Sequence, residues 1–434
     1  MRFRVQGGAR LSGTYHPQGA KNEALQVLSA ALLTSDPITY QNVPRILDVE
    51  RHLELIKGLG ARVEWLDEHT VRITAEVVEP RRLLEPELKM LFRRIRGSVL
   101  LVGALLGRCG EAYLYRPGGD KIGRRRLDTH LLGFEALGAT ISYDEKNELY
   151  KIVAPRRLQG KFILLEEASV TGTANILLAA ATAEGQTTLY HAACEPYIQQ
   201  LCHLLVKMGV PITGIGSNRL ILHGQNQLHG GHHGILPDVI EIGSIIGLAA
   251  MTQSALTIAS VPVEHLEPIV HPFERLGIPI LVEGDYLRID PPPLYEPDTL
   301  WEGHILTLSD HTWPGTPPDL LSILLVVATQ AAGQVLIHQK MFESRLFFVD
   351  RLIEMGAQVV LCDPHRAMVI GLGRRYPLRG ITMSSPDIRA GIALLIAALS
   401  AEGESIIDNA EQIDRGYEAI DVRLNALGAQ IERV

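Results

Sequence analysis

One short phrase closes six segments of this chain: a helix-ending pair, a glycine, then an apolar run. It reads Gly58-Leu59-Gly60-Ala61-Arg62-Val63, Ala136-Leu137-Gly138-Ala139-Thr140-Ile141 and Lys207-Met208-Gly209-Val210-Pro211-Ile212. It returns as Arg275-Leu276-Gly277-Ile278-Pro279-Ile280, Glu354-Met355-Gly356-Ala357-Gln358-Val359 and Ala426-Leu427-Gly428-Ala429-Gln430-Ile431. Successive motif glycines stand 68 to 79 residues apart. That interval is too long for a solenoid repeat of roughly twenty to fifty residues. It suits an α/β unit of two helices and several strands, copied six times.

The first copy shows the pattern. Residues 22–33 form an apolar, alanine-rich stretch that predicts a closely packed helix. Ser35-Asp36-Pro37 ends it, and residues 38–43 alternate like a strand. Residues 48–59 read as a second helix, with Gly60 in the left-handed position past its end and residues 61–65 as the next strand. Helices matching the first are expected at 98–106, 173–182, 241–252, 320–331 and 388–401. They are apolar almost all round, which places them inside a domain with strands outside.

Length and composition set the frame. A chain of 434 residues accommodates two domains, so the six copies are expected to divide three and three. The first domain is expected at 21–230, with a loop near 116–128 that carries chemistry; the second is expected to combine 1–20 with 235–434. Residues 228–234, with three histidines among glycines, read as a flexible hinge, since no carboxylate or cysteine joins them at metal-ligand spacing. A net charge of −8 argues against a general nucleic-acid or anionic-membrane surface, so an anionic ligand requires a local basic pocket. The N-terminus carries no signal-like apolar segment, and the longest apolar runs (323–332 and 388–399) are too short to span a bilayer. The expected location is the cytoplasm. Cys109, Cys194, Cys202 and Cys362 form no CxxC pair and read as small packing residues.

The candidate chemistry gathers at the helix starts. Polar or charged clusters precede or open each buried helix: Lys21-Asn22, residues 93–96, 169–173 and 238–241, Asp319, and Asp387 with Arg389. Helix N-termini present free N–H groups and favour anions, and the same placement in all six copies points to a site for phosphates and carboxylates. A basic, Gly-rich loop (Arg116-Pro117-Gly118-Gly119-Asp120-Lys121-Ile122-Gly123-Arg124-Arg125-Arg126) and the tail Gln412-Ile413-Asp414-Arg415-Gly416-Tyr417 add cations.

These residues carry a resemblance that runs end to end. Gly19-Ala20-Lys21-Asn22, Arg96-Gly97-Ser98, Pro117-Gly118-Gly119, Leu236-Pro237-Asp238, Phe342-Glu343-Ser344-Arg345 and Ile413-Asp414-Arg415-Gly416-Tyr417-Glu418 stand in an order and spacing of high specificity. The chain resembles the bacterial UDP-N-acetylglucosamine enolpyruvyl transferases, relatives of 5-enolpyruvylshikimate-3-phosphate synthase. The resemblance implies two inside-out α/β barrel domains, of three units each, closing over a cleft. It implies transfer of the enolpyruvyl group of phosphoenolpyruvate to the 3-hydroxyl of UDP-N-acetylglucosamine, with release of phosphate, in cell-wall peptidoglycan precursor synthesis. No cofactor, metal, nucleic-acid or membrane partner is implied, and a monomer is compatible with it.

Roles follow by matching position. Lys21, Asn22, Arg125, Arg389 and Arg415 match residues that hold phosphoenolpyruvate, with Lys21 and Arg415 also serving the chemistry; arginine forks suit bidentate oxyanion binding. Asp319 matches the carboxylate beside the acceptor hydroxyl and takes the base role, against the plainer reading of a helix cap. Asp120 stands where most of the family has a proton-donating cysteine, a departure that makes it the expected general acid if burial or neighbouring anions raise its pKa. A carboxylate is a poor nucleophile toward the epoxide of fosfomycin, so the chain is expected to be insensitive to that drug. The UDP-sugar is expected on Arg96, Arg125, Arg126, Leu127, Asp128, Thr129, Ser169, Val170, Thr171, Asp319 and Met341. Several family residues on this nucleotide side are altered, among them the Arg-Pro-Val-Asp-Leu pattern that here reads Arg125-Arg126-Leu127-Asp128-Thr129. Two alternatives therefore stand: an enolpyruvyl transferase with another nucleotide-sugar acceptor, or a weakly active UDP-sugar-binding module.

Overall fold

The computed structural model describes residues 1–119, 123, 125–299 and 301–434. Its described residues form two compact units. The N-terminal unit comprises Gly19–Gly119 and Arg125–Leu236; the C-terminal unit comprises Met1–Gln18 and Pro237–Val434. Each has its own hydrophobic core.

The core of the N-terminal unit is a set of helices, α1 (Lys21–Ala30), α2 (Leu100–Cys109) and α3 (Val170–Ala180), buried along nearly their whole length. α2 packs against both of the others. Small residues permit this: a Cβ at Gly103 of α2 would stand 2.1 Å from the backbone oxygen of Asn175 in α3. Three open sheets cover the helices. One runs Gly231–Gly234, Ile38–Gln41, Val71–Thr74, Arg62–Trp65; the next Glu111–Tyr115, Leu149–Val153, Thr140–Asp144; the third Ile212–Thr213, Arg219–His223, Gln186–Tyr190, Phe162–Leu164.

The C-terminal unit repeats this with α4 (Val239–Thr252), α5 (Leu321–Ala328) and α6 (Ile388–Ser400), each packed on the other two. Its sheets are centred on Leu256–Ile258, Gln334–His338 and Glu404–Asp408. In every four-stranded sheet the strand after a core helix is the hub. Ile38–Gln41, Gln186–Tyr190, Leu256–Ile258, Gln334–His338 and Glu404–Asp408 each pair parallel with one neighbour and antiparallel with another. Burial alternates along Leu256–Ile258, Gln334–His338 and Glu404–Asp408, as a strand with one face on the helices requires, whereas Ile38–Gln41 and Gln186–Tyr190 each bury three consecutive residues.

The recurring sequence phrase has one conformation. Gly60, Gly138, Gly209, Gly277, Gly356 and Gly428 have φ between 87° and 110°, a region costly for any residue with a Cβ. In each, the glycine N–H returns to the carbonyl three residues back and the next N–H to the carbonyl five back, as in Gly60 to Lys57 (3.0 Å) and Ala61 to Ile56 (3.4 Å). This Schellman ending satisfies carbonyls that the helix leaves free and turns the chain into the following strand.

Two expectations are corrected. Residues 228–234 are not a flexible hinge: Gly231–Gly234 is a strand paired in parallel with Ile38–Gln41, and His233 is 2% exposed with Nε2 2.8 Å from Glu23 Oε1. Backbone pairing to a distant strand fixes a segment whose glycines alone suggest mobility. Nor are all four cysteines packing residues, since only Cys202 is buried while Cys109 and Cys362 are exposed.

The first helix of each unit carries a buried glutamate at its third position. In the N-terminal unit Glu23 accepts the N–H of Leu236 at 3.2 Å; in the C-terminal unit Glu241 accepts the N–H of Gln18 at 2.6 Å. Glu241 also takes the Tyr15 hydroxyl (2.7 Å) and Arg423 Nη1 (2.6 Å). Each glutamate thereby anchors the last residue of a chain stretch before it leaves its unit.

Candidate active site

In the N-terminal unit the predicted residues lie at the starts of α1, α2 and α3. Lys21 opens α1 and is 8% exposed; its Nζ lies 2.7 Å from Asp48 Oδ2, on a neighbouring helix (Leu47–Gly58). Asn22 beside it is half-buried. Arg96 begins the 3-10 turn (Arg96–Val99) leading into α2, and its Nη2 donates to the Arg126 carbonyl at 3.3 Å. Burial and the adjacent Arg125 charge push the Arg96 guanidinium down to about 10, against the pull of Glu167, so it stays cationic at neutral pH. Gly119 explains part of the Gly-rich loop: its φ is 98°, and a Cβ there would sit 2.9 Å from Arg96 Cβ and 3.2 Å from Arg125 Nη2. Only glycine lets the loop pass so close to both arginines.

The stretch after the loop is drawn onto α3. Arg126 is exposed and ion-paired with Asp128, with Glu166 at 4.0 Å; Leu127 leads into the helix Asp128–Ala136. Thr129 donates to Glu167 at 3.1 Å. Ser169 caps α3 by accepting the Gly172 N–H at 3.2 Å, followed by half-buried Val170 and Thr171. Arg96, residues 125–129 and 169–171 are thus brought together.

A buried network that sequence reading missed underlies them. Asn175 accepts the Gly103 N–H and donates to the Val99 carbonyl, which fixes its amide, and its Nδ2 also faces His130 Nδ1 at 2.8 Å. His130 therefore accepts at Nδ1 and donates from Nε2 to Thr171 Oγ1 at 3.2 Å. Burial, with Arg96 nearby, lowers its pKa to about 3, so this imidazole is neutral.

The C-terminal unit contributes a second group. Asp319 lies in the 3-10 turn Pro318–Leu320 before α5, and neither the turn nor α5 is capped by a side chain. Its oxygens go elsewhere. Arg345 Nη2 reaches Oδ1 at 2.6 Å, while Arg389 Nε and Nη2 both reach Oδ2 at 3.0 Å. Burial pushes the Asp319 carboxyl up, but Arg389 and Arg345 outweigh it and hold it well below the usual carboxylate range. Arg389 in turn is opposed by its own burial but held above its usual range by Asp319, Tyr417 and Asp238. Its Nη1 donates to the Tyr417 hydroxyl (3.2 Å), which meets Ser244 Oγ at 2.8 Å. The Asp387 side chain caps α6 by accepting the N–H groups of Arg389 and Ala390, both at 2.8 Å.

Arg415 is 8% exposed and donates to Gln412 Oε1 at 2.9 Å. Met341 is 41% exposed, its backbone N–H held by Asp310 at 3.1 Å. Asp120 lies outside the described residues. Sequence reading quoted Arg345 only as part of a motif and left Asp48, His130, Asn175 and Tyr417 without roles. The available signal was chemical: a buried lysine and a buried arginine each require a carboxylate partner. Which carboxylate serves is a matter of packing.

The arrangement places buried cations beside helix starts in each unit, together with a carboxylate kept ionised in the C-terminal unit. Each of these groups of cations offers a place for phosphate or carboxylate groups. Comparison with known proteins agrees with this chemistry. Residues 5–424 match the family model described as EPSP synthase (3-phosphoshikimate 1-carboxyvinyltransferase). The chain is 55% identical over 432 residues to the UDP-N-acetylglucosamine 1-carboxyvinyltransferase of Bacteroides thetaiotaomicron, covering 100% of this chain and 99% of that protein. It is 56% identical over 430 residues to the protein of the same name from Porphyromonas gingivalis, covering 99% of each. The enolpyruvyl transferase NikO from Streptomyces tendae shares the fold, with a TM-score of 0.87 at 24% identity over 99% of this chain and 98% of that one. The chain belongs to the EPSP synthase family, on the branch of the UDP-N-acetylglucosamine 1-carboxyvinyltransferases.

Proposed function

We propose that this enolpyruvyl transferase moves the enolpyruvyl group of phosphoenolpyruvate to the 3-hydroxyl of UDP-N-acetylglucosamine and releases phosphate, in peptidoglycan precursor synthesis in the cytoplasm. The observation that carries this reading is the 55% identity, over the whole chain, to a protein named for that activity. The three sheets around three helices in each unit support reading the fold as two inside-out α/β barrels of three repeated units, with the catalytic loop near 116–128.

The reaction adds an alcohol across the enol double bond and then eliminates phosphate. The acceptor oxygen bonds to C2 of phosphoenolpyruvate, its proton passing to Asp319, while a proton is delivered to the C3 methylene. Loss of a C3 proton and of phosphate then restores the double bond. Asp319 is assigned the base role on its matching position beside the acceptor hydroxyl; both its oxygens are held, and Arg389 and Arg345, which keep it ionised, also weaken it as a proton acceptor until substrate changes that balance. Lys21, Asn22, Arg125, Arg389 and Arg415 are assigned to the phosphate and carboxylate of phosphoenolpyruvate. Arg96, residues 125–129 and 169–171, Asp319 and Met341 are assigned to the UDP-sugar. Asp120 is assigned as general acid, on its place directly after Pro117-Gly118-Gly119.

Phosphate release from phosphoenolpyruvate, with and without UDP-N-acetylglucosamine, tests the reading in wild type and Asp120→Ala. Acceptor-dependent release that falls by about 10²-fold or more in the variant is the expected result. Near wild-type turnover in Asp120→Ala would remove the general-acid assignment. No release with this acceptor would remove the substrate assignment.

A further inference from the structure

Asp319 is gripped on opposite oxygens by two arginines of different kinds. Arg389 belongs to α6 and is already assigned to phosphoenolpyruvate. Arg345 follows Phe342, whose ring its guanidinium covers at 4.8 Å, and its side chain is 10% exposed. Arg345 Nη2 meets Oδ1 at 2.6 Å, the shorter of the two contacts, and leaves Oδ2 to Arg389. A carboxylate at the end of a single rotatable arm is fixed in its plane only when both oxygens are held. Arg389 alone, bonding Oδ2 through Nε and Nη2, leaves the carboxylate able to swing about that oxygen. Arg345 removes that freedom.

We propose that Arg345 is a positioning residue that locks the Asp319 carboxylate through Oδ1, so that the carboxylate keeps a single orientation toward the acceptor hydroxyl. This rests on the reading of Asp319 as the base. Arg345 acts through Asp319 and is assigned no contact with substrate. A misplacement of about 1 Å in a proton acceptor is enough to cost on the order of 10²-fold in rate.

A double-mutant cycle on kcat and KM, with Arg345→Gln, Arg345→Lys, Asp319→Asn and Arg345→Gln/Asp319→Asn, tests it. Arg345→Gln is expected to lower kcat by about 10- to 100-fold with KM for both substrates within about threefold of wild type. Arg345→Lys, which keeps the charge, should recover part of that loss, as should added guanidinium ion with Arg345→Ala. In the Asp319→Asn background Arg345→Gln should cost nothing further, because a residue acting only through Asp319 is silent once it is gone. An equal loss in both backgrounds, with Asp319→Asn itself strongly impaired, overturns the positioning role alone. A raised KM for phosphoenolpyruvate at unchanged kcat overturns it in favour of direct substrate contact. Near wild-type kcat in Asp319→Asn would instead overturn the base reading on which it rests.

Discussion

Lys21 and Asp48 form an ion pair of 2.7 Å between side chains only 10% and 4% exposed, at the first turn of the first core helix. A lysine ammonium held that deep needs its countercharge, since an uncompensated buried charge costs several kcal/mol. The pair also aims the amine. Lys21 is assigned to phosphoenolpyruvate, and Asp48 is one of the groups that position its amine.

Asp48→Asn should therefore lower the stability of the folded protein by about 3 kcal/mol, read as a reduced urea midpoint at unchanged slope. It should also raise KM for phosphoenolpyruvate by about tenfold, with the KM of the acceptor moved less. An unchanged urea midpoint would mean that the pair is of no structural consequence.

The tight packing of α2 on α3 at Gly103 gives a second test. Gly103→Ala places a Cβ 2.1 Å from the Asn175 backbone oxygen, an atom that cannot move without displacing α3. It would also disturb the Gly103 N–H to Asn175 Oδ1 bond of 2.8 Å and, through Asn175, His130. The expected loss is about 3 kcal/mol, measured by thermal or urea unfolding.

Two buried histidines predict how stability depends on pH. Burial lowers His52 to about 4 and His130 to about 3, and both are essentially unexposed. His52 donates Nε2–H to Ser29, whose own proton is committed to the Leu25 carbonyl. Both pKa values are depressed from an unfolded value near 6.5, so the unfolded chain takes up protons first on acidification. Their contribution is complete above about pH 6.5 and is lost as pH falls toward 4 and 3. Between roughly pH 6.5 and 5 each should cost about 2 kcal/mol. His52→Leu, which also removes an Nδ1 lacking a hydrogen-bond partner among the described residues, should flatten about half of this slope in urea titrations at the two pH values.

Position 120 predicts drug response. With aspartate there the protein should show no time-dependent inactivation by fosfomycin and no mass increase. Asp120→Cys should become alkylated stoichiometrically, because a thiolate is a far better nucleophile toward the epoxide than a carboxylate. Alkylation of the wild-type protein, read by intact mass, is the contrary outcome.

The local chemistry of this chain is written in its residue order. A glycine after each of six helices takes a left-handed φ because nothing else does so without cost, and the helix ending and strand start follow from it. Apolar residues on every side of a helix bury that helix, so the core helices and the α/β class were equally readable. The positions of Lys21, Arg125, Asp319, Arg389 and Arg415 were readable too, as charged residues at helix starts or in glycine-rich turns.

What packing alone decided is who meets whom. Asp319 is 26 residues from Arg345 and 70 from Arg389, yet both reach it, and no periodicity links them. The same holds for Glu23 and His233, 210 residues apart, whose contact turns an apparent glycine-histidine linker into a paired strand. Backbone conformation depends on neighbours along the chain, within the reach of a turn. Ion pairing and strand pairing depend on neighbours in space, and only the folded chain brings those together.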